Sequence, residues 1–204
     1  MSANKRRKPK QERSKEKVDQ IIRASARIID REGYHAFSTN RVAKDAGVGI
    51  ATIYEYFANK EEILLAVLEH ELAGISMRIE AKIPEILRME FEPACRELFR
   101  FILSEVTAKA EFMRVIAGQL HGSTDFEPAI RFFAQSETVI RMLLATFSTD
   151  RDQDLRLDAF LTTHAFAGIC TGIATGLPLG QDLDSVVDRL VDIAQHLVGR
   201  EPVG

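Results

Sequence analysis

The chain has 204 residues, 46% of them hydrophobic, with 12 glycines and 6 prolines. That is enough for one sizeable core or two modest ones, and it excludes a collagen-like, low-complexity or wholly disordered chain. The net charge of −3 hides a split: residues 1–60 carry 14 Lys and Arg against 7 Asp and Glu, whereas residues 61–204 carry 13 against 23. A basic head on an acidic body suggests that the head meets a polyanion, although a solvated basic tail without a partner gives the same numbers.

No apolar run reaches the ~18 to 20 residues needed to cross a bilayer, and the first residues are basic, unlike a signal peptide. A soluble, cytoplasmic protein without a membrane partner is expected. Cys95 and Cys170 are too few and too distant for a metal motif or a disulfide framework, so buried free thiols are the expectation.

In chain order, residues 1–13 hold the run Lys5-Arg6-Arg7-Lys8-Pro9-Lys10 and no apolar periodicity, which predicts a flexible basic arm. From Val18 the residues Ile21, Ile22, Ala24, Ile28 and Ile29 recur at helical spacing, and Gly33 stops that helix as a left-handed cap. Ser38 or Thr39 caps a short second helix ending near Ala46. Gly47 marks a turn, and a third short helix runs from about Gly49 to Tyr56. Asn59 can cap a longer helix, with Ile63, Leu64, Val67, Leu68, Leu72, Ile75 and Ile79, that ends before Pro84. Further helices are predicted from Pro93 to Ala108, Phe112 to Leu120, Pro128 to Phe147, Asp154 to Thr175 and Leu183 to Val198. Breaks fall at Gly122-Ser123-Thr124 and at Gly176-Leu177-Pro178-Leu179-Gly180. Nothing alternates with period two. The chain therefore reads as all-α, with about nine helices: an arm (1–13), a three-helix head (14–60) and a helical body (61–204).

The segment Thr39 to Tyr56 meets the constraints of a helix-turn-helix. With Thr39 as the first position, a small residue is needed at the fifth, where the helices cross, and Ala43 supplies it. A residue at ease with positive φ is needed at the ninth, and Gly47 supplies that. The shared core falls on Val42, Ala46, Val48, Ile53 and Tyr56, all apolar or aromatic. The alternative is an ordinary helix pair joined by a glycine turn.

The run Gly33-Tyr34, Ser38-Thr39, Val42-Ala43-Lys44-Asp45-Ala46-Gly47-Val48 and Thr52-Ile53-Tyr54-Glu55-Tyr56-Phe57-Ala58-Asn59-Lys60-Glu61 resembles the DNA-binding head of the TetR family of regulators. The likeness covers roughly Arg13 to Val67. Gly49 stands where a small hydroxyl residue often begins the recognition helix, and Ala51 where glycine or proline is frequent. The resemblance implies a repressor that binds a palindromic operator as a dimer and is released by a small-molecule ligand.

A recognition helix presents its N-terminal residues to base edges in the major groove. Gly49, Ile50 and Ala51 hold those positions, and without hydrogen-bonding groups they read only shape or the thymine methyl. Ile50 packing on its own helix is the alternative. Asn40 suits adenine, and Arg41 suits a phosphate or guanine, or else faces solvent. Thr39, Thr52, Tyr54, Tyr56 and Lys60 surround the groove, and by resemblance several of them hold the DNA backbone. Such contacts fix register and carry affinity without reading sequence. The arm either enters a minor groove or adds only counterion-release affinity.

One head reads few base pairs, so a homodimer is expected. Gly168, Gly172 and Gly176 are spaced by four on the penultimate helix, at about 1 kcal/mol each against alanine. They suggest the close approach of another helix. Leu183, Val187, Leu190 and Ala194 on the last helix offer the matching stripe, and the resemblance implies a four-helix bundle between two copies. Packing within one chain is the alternative. In the middle helices Ile102, Phe112, Met113, Ile116, Phe133 and Met142 suit an adaptable apolar pocket for a partly apolar effector. His121 and His164 would be its polar handles. Plain core explains the same residues. No phosphate-binding glycine loop, nucleophile elbow, HExxH or metal-spaced histidine set is present, so neither an enzyme nor a metal or organic cofactor is expected. The competing reading is a ligand-independent helical interaction module with a basic arm.

Overall fold

A computed structural model describes residues 10–110, 112–115, 127–148, 154–176 and 182–198. The run from Lys5 to Pro9, Ile116, His121, the Gly122-Ser123-Thr124 break and residues 177–181 lie outside them. The described chain is helical, without strand, in nine helical elements of which one is a 3-10 turn. These are α1 (Lys10–Glu32), the 3-10 turn (Tyr34–Ala36), α2 (Thr39–Ala46), α3 (Ile50–Tyr56) and α4 (Lys60–Ile86). After them come α5 (Phe91–Ala108), α6 (Glu127–Phe147), α7 (Arg156–Thr175) and α8 (Leu183–Leu197). Residues 112–115 form a further helical turn. No helix among the described residues is long and apolar enough to cross a membrane.

The chain divides into two compact units, residues 1–70 and 71–204, with the division inside α4. In the first unit α1 buries Ile21, Ile28 and Ile29, and Phe37, Val42, Ile53, Phe57, Ile63 and Val67 are buried as well. Helix α1 begins at Lys10, well before the Val18 expected from periodicity. Its first turns are built from Lys, Gln, Glu and Arg, which favour helix without supplying an apolar stripe. Gly33 ends α1 at φ 80, ψ 169, inside the positive-φ region that essentially only glycine enters, instead of in the left-handed cap expected.

The second unit packs α5 against α8 and α6 against α7. Its larger core cluster holds Phe91, Phe99, Leu103, Leu144, Phe166, Val187, Leu190 and Val191. A smaller one holds Ile83, Ile86, Leu98 and Leu143. Helix α4 does not stop before Pro84 but runs to Ile86. Proline removes only its own N–H from the ladder, and the turn continues through the Leu87 N–H donating to the Ile83 carbonyl at 2.9 Å. Ion pairs Glu71–Lys109 (3.5 Å), Arg78–Glu105 and Lys82–Glu97 line the α4–α5 seam. Arg96–Asp188 and Arg100–Asp184 (2.7 Å) join α5 to α8.

Candidate nucleic-acid interface

The turn between α2 and α3 is built by its own backbone. Ser38 caps α2, its hydroxyl accepting from the Arg41 N–H at 3.3 Å. Gly47 sits at φ 67, ψ 31, and its N–H and that of Val48 return to the carbonyls of Lys44 (3.3 Å) and Ala43 (3.0 Å). This double closure is a Schellman motif and needs a left-handed residue at Gly47. Val42, Ala43 and Ile53 are buried at the crossing, with Ala46, Val48 and Tyr56 half-buried around them. Gly49 then opens α3 in extended conformation with no side-chain cap.

Helix α3 buries Ile53 and turns Ile50 (40% exposed), Ala51 and Tyr54 (56% exposed) outward. Successive residues rotate by about 100°, so Ile50 and Tyr54, four apart, share a face. Asn40 is exposed on α2. Three proposed clamp residues each have a partner inside the head. The Tyr54 hydroxyl lies 3.4 Å from Thr39 Oγ1. The Tyr56 hydroxyl donates to Ser14 Oγ on α1 at 3.2 Å. The Lys60 ammonium stands 5.2 Å above the centre of the Tyr34 ring. Thr52 is half-buried beside them in sequence.

Two site residues sit in surroundings the sequence did not suggest. Arg41 is exposed but ion-paired: its guanidinium meets Glu32 at 2.6 Å and Asp45 at 3.8 Å. The N-terminus of α4 is already occupied, because the Glu62 N–H donates to Asn59 Oδ1 (2.9 Å) and the Glu62 carboxylate accepts from the Ala58 N–H (2.7 Å). With Glu61 and Glu62 in its first turn, that helix end offers a phosphate less than a bare dipole would, and the Lys60 side chain is left as its cation. Ser14, and the contact of Tyr34 with Lys60, went unnoticed in the sequence. Contacts over such separations leave no spacing to read.

The residues expected at a dimer seam separate into two groups. Val187, Leu190 and Ala194 are buried in their own chain's core, so their side chains are not available to a second copy. Leu183 is exposed, as is Ile193, which the stripe did not include. Gly168 is exposed, and a Cβ there would meet nothing within 4 Å, whereas Gly172 is buried. Gly176, at φ 77, ψ 25, caps the end of α7. Exposed Leu157 and Leu161 lie on α7 with Gly168, spaced by four and seven.

The expected effector residues also scatter. Phe112 is buried, and Ile102 and Met113 pack against the larger cluster. Met142 is exposed. His164 stacks on Phe160 (4.3 Å between ring centres), faces Phe133 (5.3 Å) and lies 3.7 Å from Glu137 Oε1, in a partly exposed group between α6 and α7. One cavity in this unit has other walls, among them Ile86, Phe91, Leu98, Phe99, Phe147 and Thr162. It measures about 30 Å³ and shows no polar surface. The buried Thr162 hydroxyl has no hydrogen-bond partner.

A glycine-turned helix pair with an outward aromatic and basic rim, on a basic head, is that of a helix-turn-helix transcriptional regulator. The sequence profile of the bacterial regulatory proteins, tetR family, matches residues 21–67. The match covers the head, and it supports a TetR-family transcriptional regulator. It is 41% identical over 69 residues to the fatty acid metabolism regulator protein of Bacillus subtilis, a match spanning 34% of this chain and 36% of that protein's length. It is 27% identical over 157 residues to the HTH-type transcriptional repressor NicS of Pseudomonas putida, covering 75% and 72% of the two chains. Its fold is similar to that of a TetR-family regulator of Mesorhizobium loti (TM-score 0.70, 18% identity, 92% and 97% covered). It is likewise similar to Thermus thermophilus FadR in complex with lauroyl-CoA (TM-score 0.65, 20% identity, 92% and 100% covered).

Proposed function

We propose that the chain is a repressor that grips a palindromic operator as a homodimer and is released by a small, largely apolar effector held in the body. The observation that carries this reading is the head itself. Tyr54, Tyr56 and Lys60 each have a partner that limits their freedom, beside an α3 face that ends outward in Ile50 and Ala51. Groups held in advance lose less freedom on meeting phosphate, so the clamps supply affinity while Asn40, Ile50 and Ala51 read bases and groove shape. The second copy would dock on exposed Leu157, Leu161, Gly168, Leu183 and Ile193, where apolar side chains otherwise face water.

The effector class rests on the walls of the cavity. They carry no charge, so a ligand that entered would be hydrocarbon over the buried part of its length. The Bacillus subtilis regulator named for fatty acid metabolism, and FadR structures holding stearoyl-CoA and lauroyl-CoA, support a long-chain acyl thioester as the first effector to try. At about 30 Å³ the cavity holds roughly one water. An acyl chain would therefore have to part Phe91 and Phe147, which meet edge to face at 5.3 Å. An effector acts only through unequal affinity for the DNA-binding and released states, and linkage obliges DNA to weaken the effector by the same factor.

The test is an anisotropy titration of the full chain on the duplex flanking its own gene, with a random duplex as competitor and acyl-CoA added at fixed protein. Preferential binding that falls as acyl-CoA rises is expected. Equal binding to both duplexes would favour an interaction module that uses the basic arm. Preferential binding unmoved by acyl thioesters of several lengths would reject that effector class.

A further inference from the structure

We propose that Tyr34 is a positioning residue of the DNA grip: its ring face holds the Lys60 ammonium ready for a backbone phosphate. The inference rests on the reading of Lys60 as a phosphate clamp. Residue 33 is at φ 80, ψ 169 and bends the chain into the 3-10 turn that begins at Tyr34. The Tyr34 ring is half-buried against Phe37, whose centre lies 5.8 Å away and which is itself buried at 4% exposure. Backed in this way, the ring presents its face to Lys60 Nζ at 5.2 Å, inside the ~6 Å over which a ring quadrupole attracts a cation.

The choice of a ring as partner matters for phosphate binding. A carboxylate would neutralise the lysine and compete with phosphate, as Glu32 and Asp45 do at Arg41. A phenol ring restrains the ammonium and leaves its charge in place. Of the two carboxylates in the same turn, Glu62 is engaged by the Ala58 N–H and Glu61 is exposed to solvent. Lys60 is thus a cation held without being cancelled, on a long flexible stem that would otherwise lose most of its freedom on binding.

The experiment measures affinity across a salt series for the full chain and for Tyr34→Leu, Tyr34→Phe, Lys60→Ala and Tyr34→Leu/Lys60→Ala. The probes are the duplex flanking its own gene and a random duplex of equal length. Tyr34→Leu should weaken both duplexes about twofold to fivefold per head, the range expected of an exposed cation–ring contact. It should also lower the slope of log K against log salt by about one per head, as loss of one phosphate contact requires. Tyr34→Phe keeps the ring and should keep both affinity and slope. With Lys60→Ala in place, Tyr34→Leu should change neither. The proposal is overturned if Tyr34→Leu weakens binding with an unchanged slope, if it does so equally without Lys60, or if Tyr34→Phe behaves as Tyr34→Leu does. A Lys60→Ala protein with unaltered affinity and slope would instead remove the clamp on which the inference rests. The intact protein gives a reading that no unfolding variant can spoil. The Lys60 ε-methylene protons should resonate upfield of those of the other lysines, and a random-coil shift would overturn the contact.

Discussion

Gly47 shows what a single residue decides in this head. A Cβ there would meet no atom within 4 Å, so any substitution is felt only through the backbone at φ 67. Gly47→Ala should therefore cost about 1–2 kcal/mol in a denaturant titration, the penalty of a left-handed alanine, and the recognition helix should be mis-set in the survivors. The two thiols differ for another reason. Burial pushes Cys170 up to about 12, while Cys95 is only half-buried. A disulfide reagent at about pH 8 should label Cys95 in the native protein and Cys170 only after unfolding, because the thiolate is the reacting form. Equal rates in the folded chain would contradict the burial. At Asp154 the Arg156 guanidinium and backbone N–H hold the carboxyl down to about 2. A carboxyl lowered on folding contributes stability above its ordinary value of 3.8, and loses that contribution as pH falls towards about 2. Asp154→Asn should lower stability slightly at neutral pH and flatten the acid limb, so that mutant and parent curves converge as pH falls towards about 2.

At the scale of elements, legibility followed the range of the interaction. The α2–turn–α3 unit could be read because Val42, Ala43, Gly47 and Ile53 answer to one another across a few residues, and these are the buried or left-handed positions observed. Where α1 begins could not, because Lys10 to Lys17 carry helix propensity but no apolar period. On α8 the stripe marked which residues turn inward and not what they turn toward: Val187, Leu190 and Ala194 serve their own chain, and Ile193 on the other side is the exposed one. The partners Ser14 and Tyr34 were hidden by the same logic, since each meets its clamp residue across a fold and not along a helix. Between α4 and α5 the ion pairs run acidic, basic, basic along α4, and Arg78 is itself 46% exposed at the side chain. Arg78→Ala should then cost no more than about 1 kcal/mol, and less in high salt. A loss of several kcal/mol would mean that the seam is far better shielded from solvent than that exposure implies.

For the whole molecule the separation of charge is the governing fact. A head with 14 cations and 7 anions, joined to a body with the opposite excess, should bind duplex DNA with a steep salt dependence and release it without aggregation of the body on the polyanion. The proposed assembly belongs to the acidic unit. Ile193→Glu places a charge on a face already exposed in the single chain, so it should leave the thermal midpoint of folding nearly intact. If the second copy docks there, sedimentation should show monomer where the parent sediments as dimer, and operator affinity should fall toward that of one head. An unchanged sedimentation coefficient would move the docking face elsewhere.

The tightness of the carbon-lined space beneath Phe91 and Phe147 has a kinetic and evolutionary corollary. A receptor closed at rest must spend part of its time ajar before anything can enter, and observed affinity is diluted by how seldom that happens. Leu98→Ala would hollow the chamber in advance. The chain would melt earlier, by the roughly 2–5 kcal/mol typical of such truncations, yet capture a hydrocarbon guest more readily. If that space is where the proposed effector enters, sensitivity to the signal and resistance to heat are two settings of one dial, and a lineage needing a keener sensor can reach it by loosening a single leucine.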